Sequence, residues 1–330
     1  MRFFKQIKNN LSTLKNTVAQ IDKSKGPRFF LFFDIIYCKL RFHTSANEYL
    51  SYHFYDYKNC FRKNFLLKYH QVHIYRRINN ITFTRFKSKL IEKIHDLVQR
   101  EIILVPACGE ATFLDFVKKH NVVVIKPDRG SCGVGVEKLE YESDEQVLEF
   151  FRDIKKDMLC EEYIHQHKAM NSLNPSSVNT LRIVSMRHDE HNIEIISATL
   201  KAGSTVNSFT DNLYGGGIVA EVDVESGIVS TFGFDKKNNR YTHHPVTQTQ
   251  FIGFNIPNWL DVITLVKKAH SRLDENKIVG WDVAVTEKGA DIVEANSAPS
   301  PMVMQITDGK PKGEKILKIL NNKKNHIYND

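Results

Sequence analysis

The sequence lacks the cysteine pattern of a disulfide framework or of a zinc knuckle. Its five cysteines are odd in number and none of them forms a C-x-x-C pair, so both kinds of cross-link are disfavoured. Long apolar runs are missing too. The run FFLFFDIIY at residues 29–37 is shorter than a membrane span and carries Asp34 in its middle. Because no signal-peptide cleavage site follows an apolar core, the sequence predicts a protein of the reducing cytoplasm.

The two common phosphate-binding motifs are also absent. The stretch NVVVIKPDRGSCGVGV at residues 121–136 is rich in glycine, yet it lacks the Gly-Lys-Ser or Gly-Lys-Thr ending of a Walker loop. It continues as a strand, whereas a dinucleotide fingerprint requires a helix next. Dense glycines permit positive φ angles and a close approach of backbone amides to phosphate. The stretch therefore fits a plain hairpin as well as a hairpin that covers a nucleotide.

Acidic residues are scarce in the first third of the chain. Residues 1–100 contain 20 lysines and arginines against 6 acidic residues, whereas residues 101–330 contain 26 against 32. Many aromatic residues accompany the basic ones. This mixture suits anionic lipid headgroups, phosphate-rich substrates or nucleic acid, and it equally suits a helical region whose aromatic residues form its own core. Because no pattern of a nucleic-acid module is present, nucleic acid is not an expected partner.

Apolar periodicity predicts how the chain is organised. Apolar residues recur at helical spacing in the first 80 residues, including from Tyr49 to Ile78. Further on, a capping box at Ser143–Gln146 predicts the start of one helix. Pro257 predicts the start of another helix, which interrupts a strand-rich region. The predicted segments are 1–80 (mainly helical and basic), 81–120 (helical), 121–175 (strand, hairpin, helix and strand), 176–310 (a larger antiparallel sheet) and 311–330 (a helix and tail).

The stretch IVGWDVAVTEKGADIVEANSAPSP at residues 278–301 contains a candidate metal site. Two strands joined by a turn are predicted to place Asp282 opposite Glu294 and Asn296, which lie two residues apart and share a face. Carboxylate and amide oxygens are the ligands that Mg²⁺ takes when phosphates and water fill its remaining positions. Acidic residues at strand ends that face water would produce the same pattern.

Four features, in this order, resemble the ATP-grasp superfamily: Lys126 at a strand end, the glycine-rich hairpin, the strand EEYI at 161–164, and an aspartate followed by E-x-N. Four segments are similar to a narrower subfamily, the sugar-transfer associated ATP-grasp proteins, which are found in capsule and surface-polysaccharide gene clusters. These segments are PSSVNTLRIVS, HHPVTQTQFIGFNIPNW, VGWDVAV and VEANSAPSPMVMQ. The resemblance covers about residues 80–310. It implies an α+β fold in which two α+β lobes, 121–175 and 176–310, sandwich ATP after an N-terminal mainly helical basic region.

The resemblance also implies roles for individual residues. The residues that would bind ATP are Lys126 at the α- and β-phosphates, Arg129, Gly130, Ser131, Gly133 and Gly135 in the loop over the β- and γ-phosphates, Glu161, Glu162, Tyr163 and Ile164 at the adenine, and Gln166 near the ribose. The residues that would act on the γ-phosphate and the intermediate are Arg182 and Lys201, and Asn212 would be a further phosphate or metal contact in the catalytic site. The residues that would hold Mg²⁺ are Asp282, Glu294 and Asn296. Arg129 fits a solvated loop residue equally well, and the roles of His243 and His244 stay open.

A carboxylate-amine ligase is the activity that the resemblance implies. Such an enzyme uses ATP to form an acyl phosphate, here to join an amino acid or amine to a sugar during surface or capsular polysaccharide biosynthesis. Two alternatives remain, a kinase that phosphorylates a sugar hydroxyl and a non-catalytic nucleotide- or nucleic-acid-binding protein. A lipid-linked sugar substrate would bring the basic N-terminal region to the inner membrane face, where Phe29, Phe30, Phe32 and Phe33 would contact lipid peripherally.

Overall fold

A computed structural model describes residues 12–80, 86–130, 133–189, 192–206, 211–314 and 316–317. The chain divides into two compact units, one made of its two ends and one made of residues 78–299. The described part of the first unit comprises residues 12–77, 300–314 and 316–317. None of the helices in the described ranges has the length and apolarity that crossing a membrane requires.

The first unit is built from short helices. Its helical segments are 12–20, Arg28–Phe42, Ala46–Ser51, Asn59–Arg62, Lys68–His70, the π-helical Gln71–Tyr75, Arg76–Ile78 at its boundary, and Pro301–Gln305. The helical spacing after Tyr49 is therefore realised as separate short segments. One cause is His53, which has a left-handed backbone (φ 50°) that a continuous helix does not allow. Of the predicted C-terminal tail, residues 313–314 and 316–317 are helical, and 318–330 lie outside the described ranges.

Aromatic side chains fill the core of the first unit. Tyr49, Tyr52, Phe54 and Phe65 are fully buried there, and their rings contact one another, with the Tyr52 and Phe65 centroids 5.3 Å apart. The aromatics of this basic region thus form a core of their own, which was one of the two interpretations that the sequence left open. Aromatic burial of this extent is a main source of stability in so small a unit.

Residues from the C-terminal end complete the first unit. The side chain of Gln305 accepts a hydrogen bond from the Leu66 amide (3.0 Å) and donates one to the Leu66 carbonyl (2.8 Å). The Tyr57 hydroxyl donates to the Gly309 carbonyl (2.6 Å). Gly313 donates to the Asn64 carbonyl (2.8 Å), so close that a Cβ at Gly313 would lie 2.4 Å from that oxygen.

The second unit contains two antiparallel sheets. One has four strands in the order β1-β4-β2-β3 and the other has seven in the order β11-β10-β5-β6-β7-β8-β9. The strands are β1 Ile102–Val105, β2 Val122–Pro127, β3 Glu137–Glu140, β4 Met158–Glu162, β5 Thr180–Arg187, β6 Ile193–Ala202, β7 Ile218–Val222, β8 Gly233–Phe234, β9 Arg240–Tyr241, β10 Ile278–Thr286 and β11 Gly289–Asn296.

Helices cover these sheets. They are Lys87–Ile94, Glu110–His120, Asp144–Asp153, Lys168–Asn171 and Trp259–Ser271. Two predicted helix starts are partly wrong. Ser143 does cap its helix, but the Gln146 side chain accepts from the Glu142 amide, so only half of the capping box forms. Pro257 precedes the last helix instead of opening it, because Asn258 takes the N-cap in a left-handed conformation (φ 53°) that asparagine tolerates.

A buried hydrogen-bonded chain crosses the core of the larger sheet. The indole of Trp281 donates to the Ser185 hydroxyl (2.8 Å), which lies 2.7 Å from His270 Nδ1, while His270 Nε2 lies 3.0 Å from the Asn276 carbonyl. Nε2 therefore carries the proton, since a carbonyl can only accept. Burial lowers the pKa of His270 to about 4, so the imidazole is neutral in the folded protein at neutral pH.

We expect His270 to make folding pH-dependent. Its pKa is lower in the folded state than in the unfolded one, so the stability it contributes is present above its ordinary pKa of about 6.5 and is lost as the pH falls towards about 4. Between about pH 7 and about pH 5 this amounts to about 2 kcal/mol. Urea unfolding of His270→Gln should show a pH dependence smaller by this amount, whereas His243→Gln, at an exposed position, should retain it. An identical dependence in both variants would contradict the prediction.

Candidate active site

Lys126 lies where the two sheets of the second unit meet. It is near the end of β2, opposite Leu159 of β4, and its ammonium group lies 2.6 Å from Glu161 Oε1. The same nitrogen donates to the Val293 carbonyl of β11 (3.3 Å). Burial lowers the pKa of Lys126 although Glu161 opposes the shift. A buried lysine at this junction presents a positive charge in a region of low dielectric, where it binds an anion strongly.

Arg100 provides a second connection between the sheets, and the sequence did not single it out. Its Nε donates to Glu161 (2.9 Å), and its Nη1 donates to Asp291 and to the Ile292 carbonyl (2.8 Å each). All three charged side chains are buried. Burial alone would lower the pKa of Arg100, but the carboxylates of Glu161 and Asp291 raise it above its ordinary value. Arg100 thereby fixes Glu161, and with it the partner of Lys126.

The hairpin of β10 and β11 forms as the sequence predicts. Asp282 pairs directly with Glu294, and Gly280 pairs with Asn296, with a bulge after Asp282. Among the described residues, no hydrogen bond or ion pair engages the side chains of Glu294 and Asn296. Burial and the charge of Asp282 raise the pKa of Glu294. Within the described ranges, the side chains of Glu294, opposite Asp282, and of Asn296, two residues further along β11, are therefore available to a ligand.

Two cations of the larger sheet hold Asp282. Arg182 donates through Nε (2.6 Å) and Nη2 (3.0 Å) to its two carboxylate oxygens, and the Lys201 ammonium lies 3.4 Å from Oδ2. Burial would raise the pKa of Asp282, but these cations lower it to about 2. Lys201 also pairs with Asp211 (3.1 Å), a residue that sequence reasoning missed.

The glycine-rich loop follows Lys126. Gly130, Gly133 and Gly135 all have positive φ, as a loop without side-chain obstruction requires, while Ser131 lies outside the described residues. Lys87, another residue that sequence reasoning missed, donates to the carbonyls of Pro127 (3.0 Å) and Gly130 (3.1 Å). Its ammonium group is a further positive charge at the base of this loop.

Arg129 is exposed in the same loop. Its guanidinium lies 4.1 Å from the centre of the Phe86 ring, which is the geometry of a cation-π contact. The structure thus gives Arg129 an aromatic neighbour and leaves its donors on the solvent side. Both roles that the sequence allowed, phosphate ligand and solvated residue, stay compatible with this position.

The segment after β4 borders a cavity of about 410 Å³. Its lining includes Tyr163, Ile164, His165 and Lys168. Gln166 also faces it, but its amide donates to the Ser177 carbonyl (2.8 Å) and accepts from the Asn179 amide (3.0 Å). A ribose contact by Gln166 would have to replace these bonds. Glu162 accepts a hydrogen bond from the Glu101 amide (3.2 Å).

The remaining predicted residues are used mainly for local structure. Asn212 accepts a hydrogen bond from the Tyr214 amide (2.9 Å) as the N-cap of a short turn, and its neighbour Asp211 is the one that reaches Lys201. His244 is fully buried and its Nε2 lies 2.6 Å from the Gly203 carbonyl, so it packs within the lobe. His243 is exposed.

Comparison with known proteins identifies the family. The model of the sugar-transfer associated ATP-grasp family matches residues 61–321, which is most of the chain, so the protein belongs to this family. Its two antiparallel sheets and their helices agree with the α+β ATP-grasp fold predicted from the sequence, which is thereby confirmed. A comparison with curated proteins found no match.

Several solved structures are similar to the chain at low identity. D-alanine-D-alanine ligase from Helicobacter pylori has 15% identity over 73% of this chain and 61% of its own, with a TM-score of 0.44. L-amino acid ligase from Bacillus licheniformis has 12% over 68% and 43%, with a TM-score of 0.41. The ATP-grasp ligase PsnB, solved with a precursor variant, Mg and ADP, has 10% over 74% and 61%, with a TM-score of 0.46. The chain thus spans less than two thirds of each of these proteins.

Proposed function

We propose that the protein is a Mg²⁺- and ATP-dependent ligase that joins a carboxylate to an amine through an acyl phosphate. The observation that carries this proposal is the convergence of three cations, Lys126, Arg182 and Lys201, on the carboxylates of Asp282 and Glu294, with Lys126, Lys201 and Asp282 buried and Arg182 and Glu294 partly buried. Charged groups are rarely buried unless they are paired. Among the described residues the carboxylate of Glu294 has no ion-pair partner, as expected of a site that a ligand completes.

ATP is the nucleotide that this arrangement fits. Lys126 would present a point charge to its phosphates and the glycine-rich loop would supply backbone amides over them. The base would enter the cavity that Tyr163 and Ile164 line. Lys126 is paired with Glu161, which Arg100 also binds. Because Arg100 neutralises much of the charge of Glu161, Lys126 keeps positive charge for a phosphate.

Mg²⁺ fits the oxygen donors of Asp282, Glu294 and Asn296, and a bond to Asp282 would have to replace some of the contacts that its carboxylate makes to Arg182 and Lys201. The described residues contain no cluster of three His, Cys, Asp or Glu side chains, so a metal here must combine Asp282 and Glu294 with the amide of Asn296 and with oxygens of the nucleotide. This mixture is typical of Mg²⁺, which keeps phosphate and water ligands. When bound, the metal would neutralise charge on the phosphates during transfer.

The reaction needs no nucleophile from the protein. A carboxylate oxygen of the substrate attacks the γ-phosphorus, the bond to the β,γ-bridging oxygen breaks, and ADP leaves. The amine then attacks the carbonyl carbon of the acyl phosphate, the C–O bond to phosphate breaks, and the amine loses a proton as the amide forms. In this proposal the charges of Arg182 and Lys201 stabilise the transferring phosphoryl group and the acyl phosphate. The protein thus acts by positioning and by electrostatic stabilisation.

A sugar is the substrate class that we propose for one partner. The support is the family itself, whose members are described as associated with sugar transfer. We therefore propose that an amino acid or amine is joined to a carboxylate-bearing or amine-bearing sugar of a surface or capsular polysaccharide. The described structure offers cations for the carboxylate at Arg182 and Lys201.

A product assay tests this function. The protein is incubated with ATP, Mg²⁺ and pairs of uronic acids, amino sugars and amino acids, and ADP, free phosphate and the mass of the products are measured. We expect equal amounts of ADP, phosphate and amide, formed only when carboxylate and amine are both present. A phosphorylated sugar formed without free phosphate would establish a kinase and overturn the ligase proposal.

Lys126→Met should weaken ATP binding by about 1 to 3 kcal/mol, the size of a hydrogen bond to a charged group. Methionine retains most of the stem and removes the charge, so packing is largely kept. Calorimetric titration with ATP and Mg²⁺ measures the effect. Lys156→Met, at an exposed lysine of the same unit, is the matched control and should leave the affinity unchanged. Equal affinities in the two variants would exclude a phosphate contact by Lys126.

A further inference from the structure

The helix Arg28–Phe42 of the first unit has two apolar faces. Leu31, Ile35 and Cys38 are buried on one of them and belong to the core of the unit. On the other side five large apolar residues are exposed: Phe29 (68%), Phe30 (67%), Phe33 (52%), Tyr37 (42%) and Leu40 (77%). We call these five the exposed stripe. Phe32, which the sequence placed with them, is instead partly buried against the core.

The exposed stripe is contiguous. Phe29, Phe33 and Tyr37 follow one another at intervals of four residues and Leu40 comes three residues later, which places them along one side of a helix. The rings of Phe29 and Phe33 are in contact, with centroids 4.7 Å apart. Single exposed apolar residues are ordinary, but a contiguous apolar face marks a surface that binds something.

Charge around the stripe is positive. Helix residues are about 100° apart, so Lys39 and Arg41, which flank Leu40 in the sequence, lie on opposite edges of the stripe, and both are exposed. The only acidic residue of the helix, Asp34, is partly buried, with its side chain 29% exposed, and its charge is paired. Its carboxylate accepts two hydrogen bonds from Arg62 (2.7 Å each) and one from Tyr49 (2.6 Å).

The same balance holds for the whole N-terminal part of the unit. Residues 12–77 contain 12 lysines and arginines against four acidic residues. A partner with negative charge beside apolar material therefore fits better than a neutral one. An anionic lipid surface has this composition, with phosphate and carboxylate headgroups above acyl chains.

We propose that the exposed stripe binds the surface of an anionic membrane. The helix would lie in the plane of the interface, with its aromatic rings and Leu40 between the headgroups and with Lys39 and Arg41 extended to the phosphates. A helix of 15 residues with one side buried in protein lies on a bilayer and does not cross it. The proposal rests on this helix and is independent of the ligase activity.

A second copy of the chain fits the stripe less well. Two copies packed stripe to stripe would cover the apolar side chains but would offer no negative charge to Lys39 and Arg41. Anionic lipids instead neutralise both residues. One apolar stripe gives modest affinity, so the attachment should be reversible and weakened by salt.

Vesicle sedimentation tests the proposal on the full chain. The protein is mixed with vesicles of phosphatidylcholine alone or of phosphatidylcholine and phosphatidylserine in equal parts, at about 0.05 M and about 0.5 M salt. We expect binding to the anionic vesicles at low salt, and at least about tenfold weaker binding at high salt or on neutral vesicles. Equal binding to both vesicle types, or binding to neither at low salt, would overturn the proposal.

Leu40→Ser tests the apolar contribution against a matched control. Leu260 is as exposed as Leu40, at 76% against 77%, and lies in the helix Trp259–Ser271. Leu40→Ser combined with Phe29→Ser and Phe33→Ser should reduce binding at least about tenfold, and Leu260→Ser should leave it unchanged. Circular dichroism and the unfolding midpoint verify that the variants are folded.

The charge contribution has its own matched pair. Lys39→Gln with Arg41→Gln should weaken binding to anionic vesicles severalfold. Lys267→Gln with Lys268→Gln removes the same net charge from exposed positions of another helix and should have no effect. Because neither variant alters an apolar residue, this pair remains informative if the serine variants fail to fold. If both double variants lost vesicle binding equally, the effect would come from the net charge of the protein, and the proposed binding face would be contradicted.

The oligomeric state of the protein without lipid shows whether the exposed stripe binds a membrane or a second copy of the chain. Sedimentation velocity at several protein concentrations is compared for the parent and the serine variant. A parent dimer that the serine substitutions convert to a monomer would assign the stripe to a second copy and overturn the proposal. Equal mass in both proteins, together with lipid binding by the parent alone, supports it.

Discussion

Replacing Asp282 by Asn and Glu294 by Gln should abolish ATP turnover while the protein remains folded. Both substitutions keep the size of the side chain and remove a negative charge, so the site loses most of its attraction for Mg²⁺. Because a catalytic metal contributes several kcal/mol to the stabilisation of transferring charge, turnover should fall at least about a thousandfold. ADP formation by the purified variant measures this, at several Mg²⁺ concentrations.

Opposite effects on stability make this double variant suitable for the test. Glu294→Gln removes a carboxylate whose pKa burial and Asp282 raise, so it relieves a cost of folding at neutral pH. Asp282→Asn weakens the contacts to Arg182 and Lys201 and acts in the other direction. Asp153→Asn with Glu225→Gln removes two acidic charges from exposed positions and is the matched control. A folded double variant that consumes ATP at the parent rate would refute the metal assignment.

Arg100→Met should lower the free energy of unfolding by about 3 to 5 kcal/mol, the usual cost of removing one partner from a buried ion pair. Arg100 binds both Glu161 and Asp291, and all three side chains are at least 90% buried. Without the guanidinium, Asp291 loses its ion-pair partner and Glu161 retains only Lys126. Denaturant unfolding at neutral pH measures the loss.

Arg272→Met is the control for this change. Arg272 pairs with Asp96 at 2.9 Å, but both side chains are 42% exposed, so its removal should cost at most about 1 kcal/mol. Arg100→Met should also weaken ATP binding, since Glu161 would then hold Lys126 more tightly. Equal unfolding free energies for the two variants would mean that the Arg100 pairs contribute no more than a surface contact.

Features with a local sequence pattern could be predicted. The pairing of β10 with β11 was predictable, because two alternating strands around a short turn lie side by side. The turn itself lies at Glu287 and Lys288, and the bulge after Asp282, which brings Asp282 opposite Glu294 instead of Val293, has no signal in the sequence. The helix Glu110–His120 was predictable as well, since an acidic residue begins it and basic residues end it. Because β10 and β11 pair, Asp282, Glu294 and Asn296 could be grouped from the sequence alone.

Contacts between distant residues could not be predicted. Arg100 and Asp291 are 191 positions apart, and nothing in the residues around either one indicates the other. Asp211 was passed over in favour of the adjacent Asn212, because a turn sequence does not reveal which side chain faces the sheet. The breaks between the short helices after Tyr49 could not be predicted, because apolar residues keep their helical spacing across the turns that separate them. The pattern near Gln166 likewise gave no sign that its amide binds the protein's own backbone.

The assembly of the first unit from both ends of the chain has a consequence for synthesis on the ribosome. Leu66 and Gln305, whose hydrogen bonds join the two ends, are 239 residues apart. At about 5 to 20 residues per second, Leu66 waits roughly ten to fifty seconds for this partner to be translated. During that interval the nascent N-terminal helices must be protected from aggregation without their closing contact. A chain terminated prematurely before Gln305 would therefore leave the first unit, the earliest part to be made, as the part that is incomplete.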